Sequence, residues 1–260
     1  MRSLLRRRSL LAMLIAGGVA AGGGVVAWRL VFHDDARPAE VRAAVARFRA
    51  TRVGSTKRGL AEAGVYVYAT TGFERISFGG LEHAYPARST ITITPTRCGI
   101  RLRWDVLTAR RTAWNYCLGA RGLVRTGSRE LHRFYDRNET TVYVCGRGWL
   151  LVPLHPRTNR HWPLRCADAQ GGRERGTGSV VGFATLHVAG RAVRTVHVRL
   201  RATLAGRSEG TAADDYWLRT SDRLPVRIVT RSDTATRSPI GAVRYAEQAT
   251  LTLVSPEPLR

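Results

Sequence analysis

The chain has 260 residues with 44% hydrophobic content, which is enough for one large domain or two small ones with a filled core. Its 42 Lys and Arg stand against 19 Asp and Glu, a formal net charge of +23, and Lys57 is the only lysine. A GC-rich genome accounts for arginine in place of lysine, whereas the shortage of acidic residues indicates anionic surroundings, such as a teichoic-acid-like polymer or lipid head groups. The basic residues are spread along the whole chain without a reader motif, which argues against nucleic acid as a partner.

The N-terminal residues predict a membrane anchor. Residues 1–9 form a basic segment with four arginines, and residues 10–28 are uncharged and apolar over about the 20 residues that a bilayer-spanning helix needs. We therefore predict a cytoplasmic segment at 1–9 and a transmembrane signal anchor at 10–32. Basic residues before the anchor and acidic ones after it place the C-terminal domain outside the cytoplasm, in a single-pass protein of the cell membrane. A cleaved signal peptide is the alternative, although the apolar run continues past the small residues at 19–21.

Residues 33–59 predict a juxtamembrane helix followed by a linker. Pro38 suits the first turn of a helix over 38–50, in which Val41, Ala44, Val45 and Phe48 recur at helical spacing. This amphipathic helix either lies on anionic lipid or packs on the domain that follows. Residues 51–59 are polar and contain glycine, which is typical of a linker.

The four cysteines predict two structural disulfides. Four cysteines allow three pairings, and the sequential one encloses a strand–turn–strand unit in each loop. A metal site needs cysteines close together in pairs, and a catalytic thiol needs a neighbouring base, so disulfides in an oxidising compartment are the favoured interpretation. The cysteines are Cys98, Cys117, Cys145 and Cys166.

From Gly64 onward the hydrophobic period is two, which predicts a sheet with one buried and one solvated face. We expect residues 60–260 to form one extracytoplasmic β-rich domain, mainly β (α+β), with a curved and mostly antiparallel sheet. In the run 196–204, the solvated face carries His197, Arg199 and Arg201. The glycine-rich segment 168–179 predicts a mobile loop between two halves of the domain.

The sequence predicts no catalytic residue, no metal site and no cofactor. The histidines lack metal spacing, and Asp214 and Asp215 are adjacent, so in a strand they point to opposite faces. The aromatic residues offer a ligand-binding hypothesis, in which a curved sheet places tryptophans around a cavity. They are equally consistent with ordinary core packing. The candidate ligand-binding residues are Trp104, Trp114, Trp149 and Trp217.

Two stretches resemble known protein groups. The C-terminal residues Tyr216-Trp217-Leu218, Leu224-Pro225-Val226-Arg227 and Tyr245 resemble the LolA/LppX-like envelope lipoproteins, with Arg223 where that pattern has glycine. The first half, from Gly64-Val65-Tyr66 to Cys117, resembles uncharacterised single-pass membrane proteins of high-GC Gram-positive bacteria, which transfer no activity. The lipoprotein resemblance implies a half-barrel sheet around helices or a hydrophobic cavity, with lipid or lipoprotein carriage as its role.

These observations predict a membrane-anchored, extracytoplasmic binding domain of the cell envelope that is not an enzyme. In the leading hypothesis it carries a lipid or another hydrophobic ligand beneath its sheet. In the alternative it is an arginine-rich scaffold or adaptor that holds an anionic polymer or a partner protein.

Overall fold

The computed structural model describes residues 34, 36–51, 54–135, 137–146, 148–238 and 241–260. The predicted basic segment at 1–9 and the predicted anchor at 10–32 lie outside these residues. Within them, no helix has both the length and the apolar character needed to traverse a bilayer.

Among the described residues, the regular structure consists of one helix, fourteen strands and a short 3-10 turn at Phe78–Gly80. The helix that was expected over 38–50 begins three residues later. The elements are α1 (Val41–Ala50), β1 (Gly64–Ile76), β2 (Glu82–Ala84), β3 (Arg88–Pro95), β4 (Gly99–Asp105), β5 (Arg110–Gly119), β6 (Gly122–Phe134), β7 (Arg137–Val144), β8 (Leu150–Pro153), β9 (His161–Asp168), β10 (Arg173–Val188), β11 (Arg191–Ala205), β12 (Ser208–Arg219), β13 (Pro225–Ser238) and β14 (Gly241–Leu253).

Twelve of the strands form a closed antiparallel barrel, which confirms the predicted antiparallel, mainly β architecture. Strands β3 to β7 and β9 to β14 follow one another around the wall, β1 completes the ring, and β2 and β8 attach to β1 and β6. Closure comes from β1 and β14, which pair from Tyr68 opposite Leu253 to Ile76 opposite Tyr245. The sheet therefore closes completely instead of stopping as a half-barrel. Both end strands are 13 residues long, and the backbone groups along their free edges hydrogen-bond to each other.

Alternate residues of each strand point into the barrel, where side chains rather than helices fill the space. The inward residues at one end are apolar and fully buried, including Tyr68, Ile100 and Leu218. Helix α1 lies outside, with its buried Ala44 against the wall near β1 and β3 and its Arg47 3.4 Å from Asp105. Of the two roles open to this helix, packing on the domain is the one the structure shows.

Both disulfides have the sequential pairing. Cys98–Cys117 ties the β4–β5 hairpin, where Gly99 lies opposite Cys117. Cys145–Cys166 joins the end of β7 to β9. The loops span 19 and 21 residues, so in the chain-entropy account each bond contributes roughly 3 kcal/mol to the free energy of unfolding.

The predicted mobile loop at 168–179 is wrong. Strand β10 begins at Arg173, and only a short turn separates it from β9. Gly178 supports close packing rather than flexibility, because a Cβ there would overlap the indole of Trp162. The indole has no freedom to retreat, since its N–H donates a 2.7 Å hydrogen bond to the carbonyl oxygen of Leu150.

Gly178→Ala is expected to lower the free energy of unfolding by about 1–3 kcal/mol, because the added methyl group overpacks a tight contact. Gly182→Ala is the matched control on the same strand, since a Cβ there meets open space. The control should stay within about 1 kcal/mol of the parent or exceed it. Urea unfolding of the three proteins measures this, and equal stabilities would contradict the packing role of Gly178.

Candidate functional site

The second end of the barrel interior is polar and contains a cavity of about 110 Å³. Two guanidinium groups and four carboxyl groups line it, together with aromatic side chains from several strands. These positions belong to the inward face of their strands, so barrel closure brings them together. The charged lining residues are Arg110, Arg125, Glu130, Glu174, Asp214 and Glu247.

Both arginines are held in ion pairs. Arg110 donates to the two carboxylate oxygens of Glu247 at 3.2 and 2.9 Å, in a bidentate arrangement. Arg125 donates to Glu174 at 2.7 Å, and its guanidinium carbon lies 3.7 Å from the ring centre of Trp149. Because each guanidinium already has a carboxylate partner, the remaining lining carboxyl groups must be balanced in another way.

Glu130 and Asp214 differ in how they are balanced. Burial opposes ionisation of Glu130, but a hydrogen bond from His132 and the charge of Arg110 lower its pKa to about 2. Burial raises the pKa of Asp214 to about 6, and a hydrogen bond with Thr230 only partly offsets this. Burial likewise raises the pKa of Glu174 to about 7 despite Arg125. Asp214 is therefore the lining carboxyl group without a paired cation among the described residues, and Asp214 and Glu174 both titrate near neutral pH.

A chain of alternating carboxylates and imidazoles runs from the rim to the cavity wall. His83 lies 2.5 Å from Asp34 through Nε2 and 2.9 Å from Glu74 through Nδ1. His132 continues the chain, because its Nδ1 lies 3.1 Å from Glu74 and its Nε2 lies 3.9 Å from Glu130. A neutral imidazole has only one N–H, so an imidazole placed between two carboxylates is held as the imidazolium. Burial lowers the pKa of His83, but its hydrogen bonds to Glu74 and Asp34 outweigh this and raise it.

The outer wall carries a cluster of exposed arginines on four strands, β9, β10, β11 and β13. We call this cluster the arginine face. It consists of Arg165, Arg175, Arg199, Arg201, Arg227 and Arg231.

Asp215 is the acidic residue within the arginine face. It accepts from His197 at 2.7 Å, from Arg199 at 2.8 Å and from Arg201 at 3.5 Å. The predicted sharing of one solvated face by His197, Arg199 and Arg201 is confirmed, and so is the divergence of Asp214 and Asp215, since Asp214 lines the cavity.

The barrel separates charge by sign. Five carboxyl groups point inward, where the guanidinium groups of Arg110 and Arg125 and the imidazolium groups of His83 and His132 balance most of their charge. The outer surface is consequently more basic than the formal net charge of +23 indicates. The inward carboxyl groups are those of Glu74, Glu130, Glu174, Asp214 and Glu247.

The structure divides the four tryptophans that were candidates for ligand binding. Trp104, Trp114 and Trp149 line the cavity. Trp217 lies instead on the outer wall, where it stacks on His197 at 4.1 Å and under Arg227 at 5.1 Å. The charged residues of the interior were not among the site residues predicted from the sequence. The two-residue period of a strand gave no signal for them, because Arg125 and Glu130 are five residues apart on β6 and a bulge between them lets both point inward.

Among the residues that the structure describes, no three His, Cys, Asp or Glu side chains are placed to hold a metal ion. The cavity is also small and charged, whereas pockets for drug-sized ligands occupy about 300–1,000 Å³ and are mostly apolar. The cavity therefore does not suit an acyl chain.

No protein-family model matches the chain, and no curated protein matches it. A solved structure, the hypothetical lipoprotein YmcC from Escherichia coli (K12), is 14% identical over 84% of this chain and 92% of its own, with a TM-score of 0.35. At that TM-score the similarity carries no argument about fold or function. The resemblance to single-pass proteins of high-GC Gram-positive bacteria stays a prediction.

We expect His83 to make stability fall as the pH rises. The pKa of His83 is raised in the folded protein. Its contribution to the free energy of unfolding is therefore complete below the unfolded-state pKa of 6.5, and it is lost as the pH rises through the higher pKa of the folded state. His83→Gln should cost ~3 kcal/mol at pH 6, because it removes one partner of a buried ion pair. It should also flatten the pH dependence of the free energy of unfolding between pH 6 and 9.

Urea unfolding across that pH range measures both effects. The exposed His161 offers a control, and His161→Gln should follow the parent curve. Parallel curves for the parent and His83→Gln would show that His83 is not held as the imidazolium.

Proposed function

We propose that this chain is a non-enzymatic binding domain of the cell envelope, and that it holds an anionic, phosphate-bearing polymer on its arginine face. The observation that supports the proposal is the separation of charge by the barrel. Carboxyl groups lie inside the wall, so they do not neutralise the arginines on the outside. A basic surface of this kind attracts polyanions by releasing their counterions.

The register of the strands brings like charges together on the arginine face. Arg165 lies directly opposite Arg175 on neighbouring strands, and Arg201 and Arg231 flank Ala213 of the strand between them. No carboxylate among the described residues pairs with Arg165, Arg175 or Arg231. Like charges placed opposite each other destabilise a sheet, so bound phosphate groups would relieve a repulsion that the free protein carries.

Carriage of a lipid or another hydrophobic ligand, the leading hypothesis from the sequence, finds less support. Its ligand would have to occupy a cavity of about 110 Å³ lined by six charged side chains. Burying these groups against an acyl chain would cost their hydration without returning hydrogen bonds. The arginine-rich scaffold, which was the alternative, needs only the outer wall, and the predicted membrane anchor would fix that wall close to the envelope polymer.

The test uses the full chain in neutral detergent with inorganic polyphosphate as the probe. A triple variant, Arg165→Gln, Arg175→Gln and Arg231→Gln, should bind polyphosphate about tenfold or more weakly at low salt. The slope of log affinity against log salt concentration should become shallower by about two units, because fewer counterions are released. Isothermal titration calorimetry at several salt concentrations measures both quantities.

The matched control removes the same charge from other parts of the wall. Arg88→Gln, Arg101→Gln and Arg129→Gln alter exposed arginines on β3, β4 and β6. This control should keep most of the affinity and slope of the parent. If both triple variants lose the same affinity, binding follows net charge alone and the arginine face is not a site.

A further inference from the structure

We infer that the barrel cavity is a binding site for a small monovalent organic cation of the alkylammonium class, with Asp214 as its counterion. The site is separate from the arginine face, on the other side of the wall, so this inference does not depend on polymer binding. It follows from the charges, the size and the walls of the cavity.

Asp214 is the lining carboxyl group that no cation of the protein neutralises directly. Glu247 is taken by Arg110, Glu174 by Arg125, and Glu130 lies beside His132. Among the described residues, Asp214 has a hydrogen bond with Thr230 and no ion pair. An ionised carboxylate in a protein interior is unfavourable without a counterion, so a bound ammonium group would supply what the fold leaves out.

The size of the cavity limits the ligand. An engineered cavity of about 150 Å³ in another protein accepts benzene, so a volume of about 110 Å³ fits an ion such as methylammonium or ethylammonium. Tetraalkylammonium ions with long chains are too large.

The walls suit a cation as well. Arg110 lies 5.7 Å from the ring centre of Trp104, and Arg125 lies over Trp149, whereas Trp114 has no guanidinium of its own among the described contacts. Its ring remains for a cation–π contact with the bound ion.

A cleft beside β7 reaches the wall of the cavity. This strand pairs with β9 at only two positions, so much of its edge faces a narrow cleft instead of another strand. Tyr143 and Leu204 line both this cleft and the cavity, so their side chains separate the two. Arg207 spans the cleft with a 2.7 Å contact to Glu139, and an exposed ion pair of this kind is easily broken.

The experiment follows the thermal unfolding midpoint of the full chain at pH 7.5 in methylammonium chloride, against sodium chloride at equal ionic strength. We expect methylammonium to raise the midpoint with a saturating dependence on concentration, and tetrabutylammonium to have no such effect. At pH 5 the apparent affinity for methylammonium should be about tenfold or more weaker, because burial raises the pKa of Asp214 to about 6 and that of Glu174 to about 7, and protonation of both carboxyl groups then competes with the cation.

Two variants separate the site from general salt effects. Asp214→Asn keeps the shape of the side chain and removes an unpaired buried charge, so it should fold and lose the methylammonium shift. Glu209→Gln changes an outer carboxylate of the same strand and should keep the shift. In the parent protein, a nuclear Overhauser contact between the methyl protons and the Trp114 indole should place the ion in the cavity.

The inference is overturned if methylammonium and sodium give equal midpoints in the parent protein, since the cavity then holds water alone. A shift that persists in Asp214→Asn also overturns it, because the ion then binds elsewhere. Neither result bears on the binding of polyphosphate to the arginine face.

Discussion

The hydrogen-bonded pairing of β1 with β14 is the contact on which the other features depend. Those two strands are the first and last of the chain's sheet, and their nine paired positions turn an open sheet into a closed wall. Closure converts the inward face of every strand into interior. Glu74 on β1 and Glu247 on β14 lie directly opposite each other in this pairing, and closure buries both of them. The polar cluster and the cavity are therefore consequences of the closure.

Placing carboxyl groups inside has a cost and a benefit. The cost is desolvation, which the arginines and histidines of the interior offset by direct contacts such as Arg110 with Glu247 and Arg125 with Glu174. The benefit is on the outside, where Asp215 pairs with Arg199 and Arg201 but no carboxylate among the described residues pairs with Arg165, Arg175 or Arg231. The same arrangement thus supports both proposals, since it leaves a basic outer surface for a polyanion and the interior carboxyl group of Asp214 for a small cation.

Much of the architecture could be predicted from the sequence because it rests on local patterns. Strict alternation in the run 196–204 identified a strand with one solvated face, and the spacing of the cysteines favoured the pairing that the structure shows. Closure could not be predicted, because it depends on the pairing of two segments at opposite ends of the domain. The glycines of β10 were misread for a related reason. Local composition suggests flexibility, whereas Gly178 is required by Trp162 on the neighbouring strand.

The candidate site was harder to predict than the fold. Tryptophans were chosen as ligand-binding residues because they are large and aromatic, and three of them do line the cavity. Trp217 was wrongly expected to face a cavity, because the sequence around it does not reveal which face of β12 points into the barrel. The charged residues Arg125 and Glu130 were missed because an inward charge is recognisable only when its partner on another strand is known.

The disulfide between Cys145 and Cys166 lies at the narrowest junction of the wall. Strands β7 and β9 share two paired positions, Tyr143 with Asp168 and Val144 with Ala167, and the disulfide bond is the next rung of that ladder. A covalent link there does the work that a longer run of backbone hydrogen bonds does elsewhere. The redox state of the surroundings consequently governs the stability of this junction. Under reducing conditions, β7 and β9 would separate beside Tyr143 before any longer strand pairing of the barrel opened.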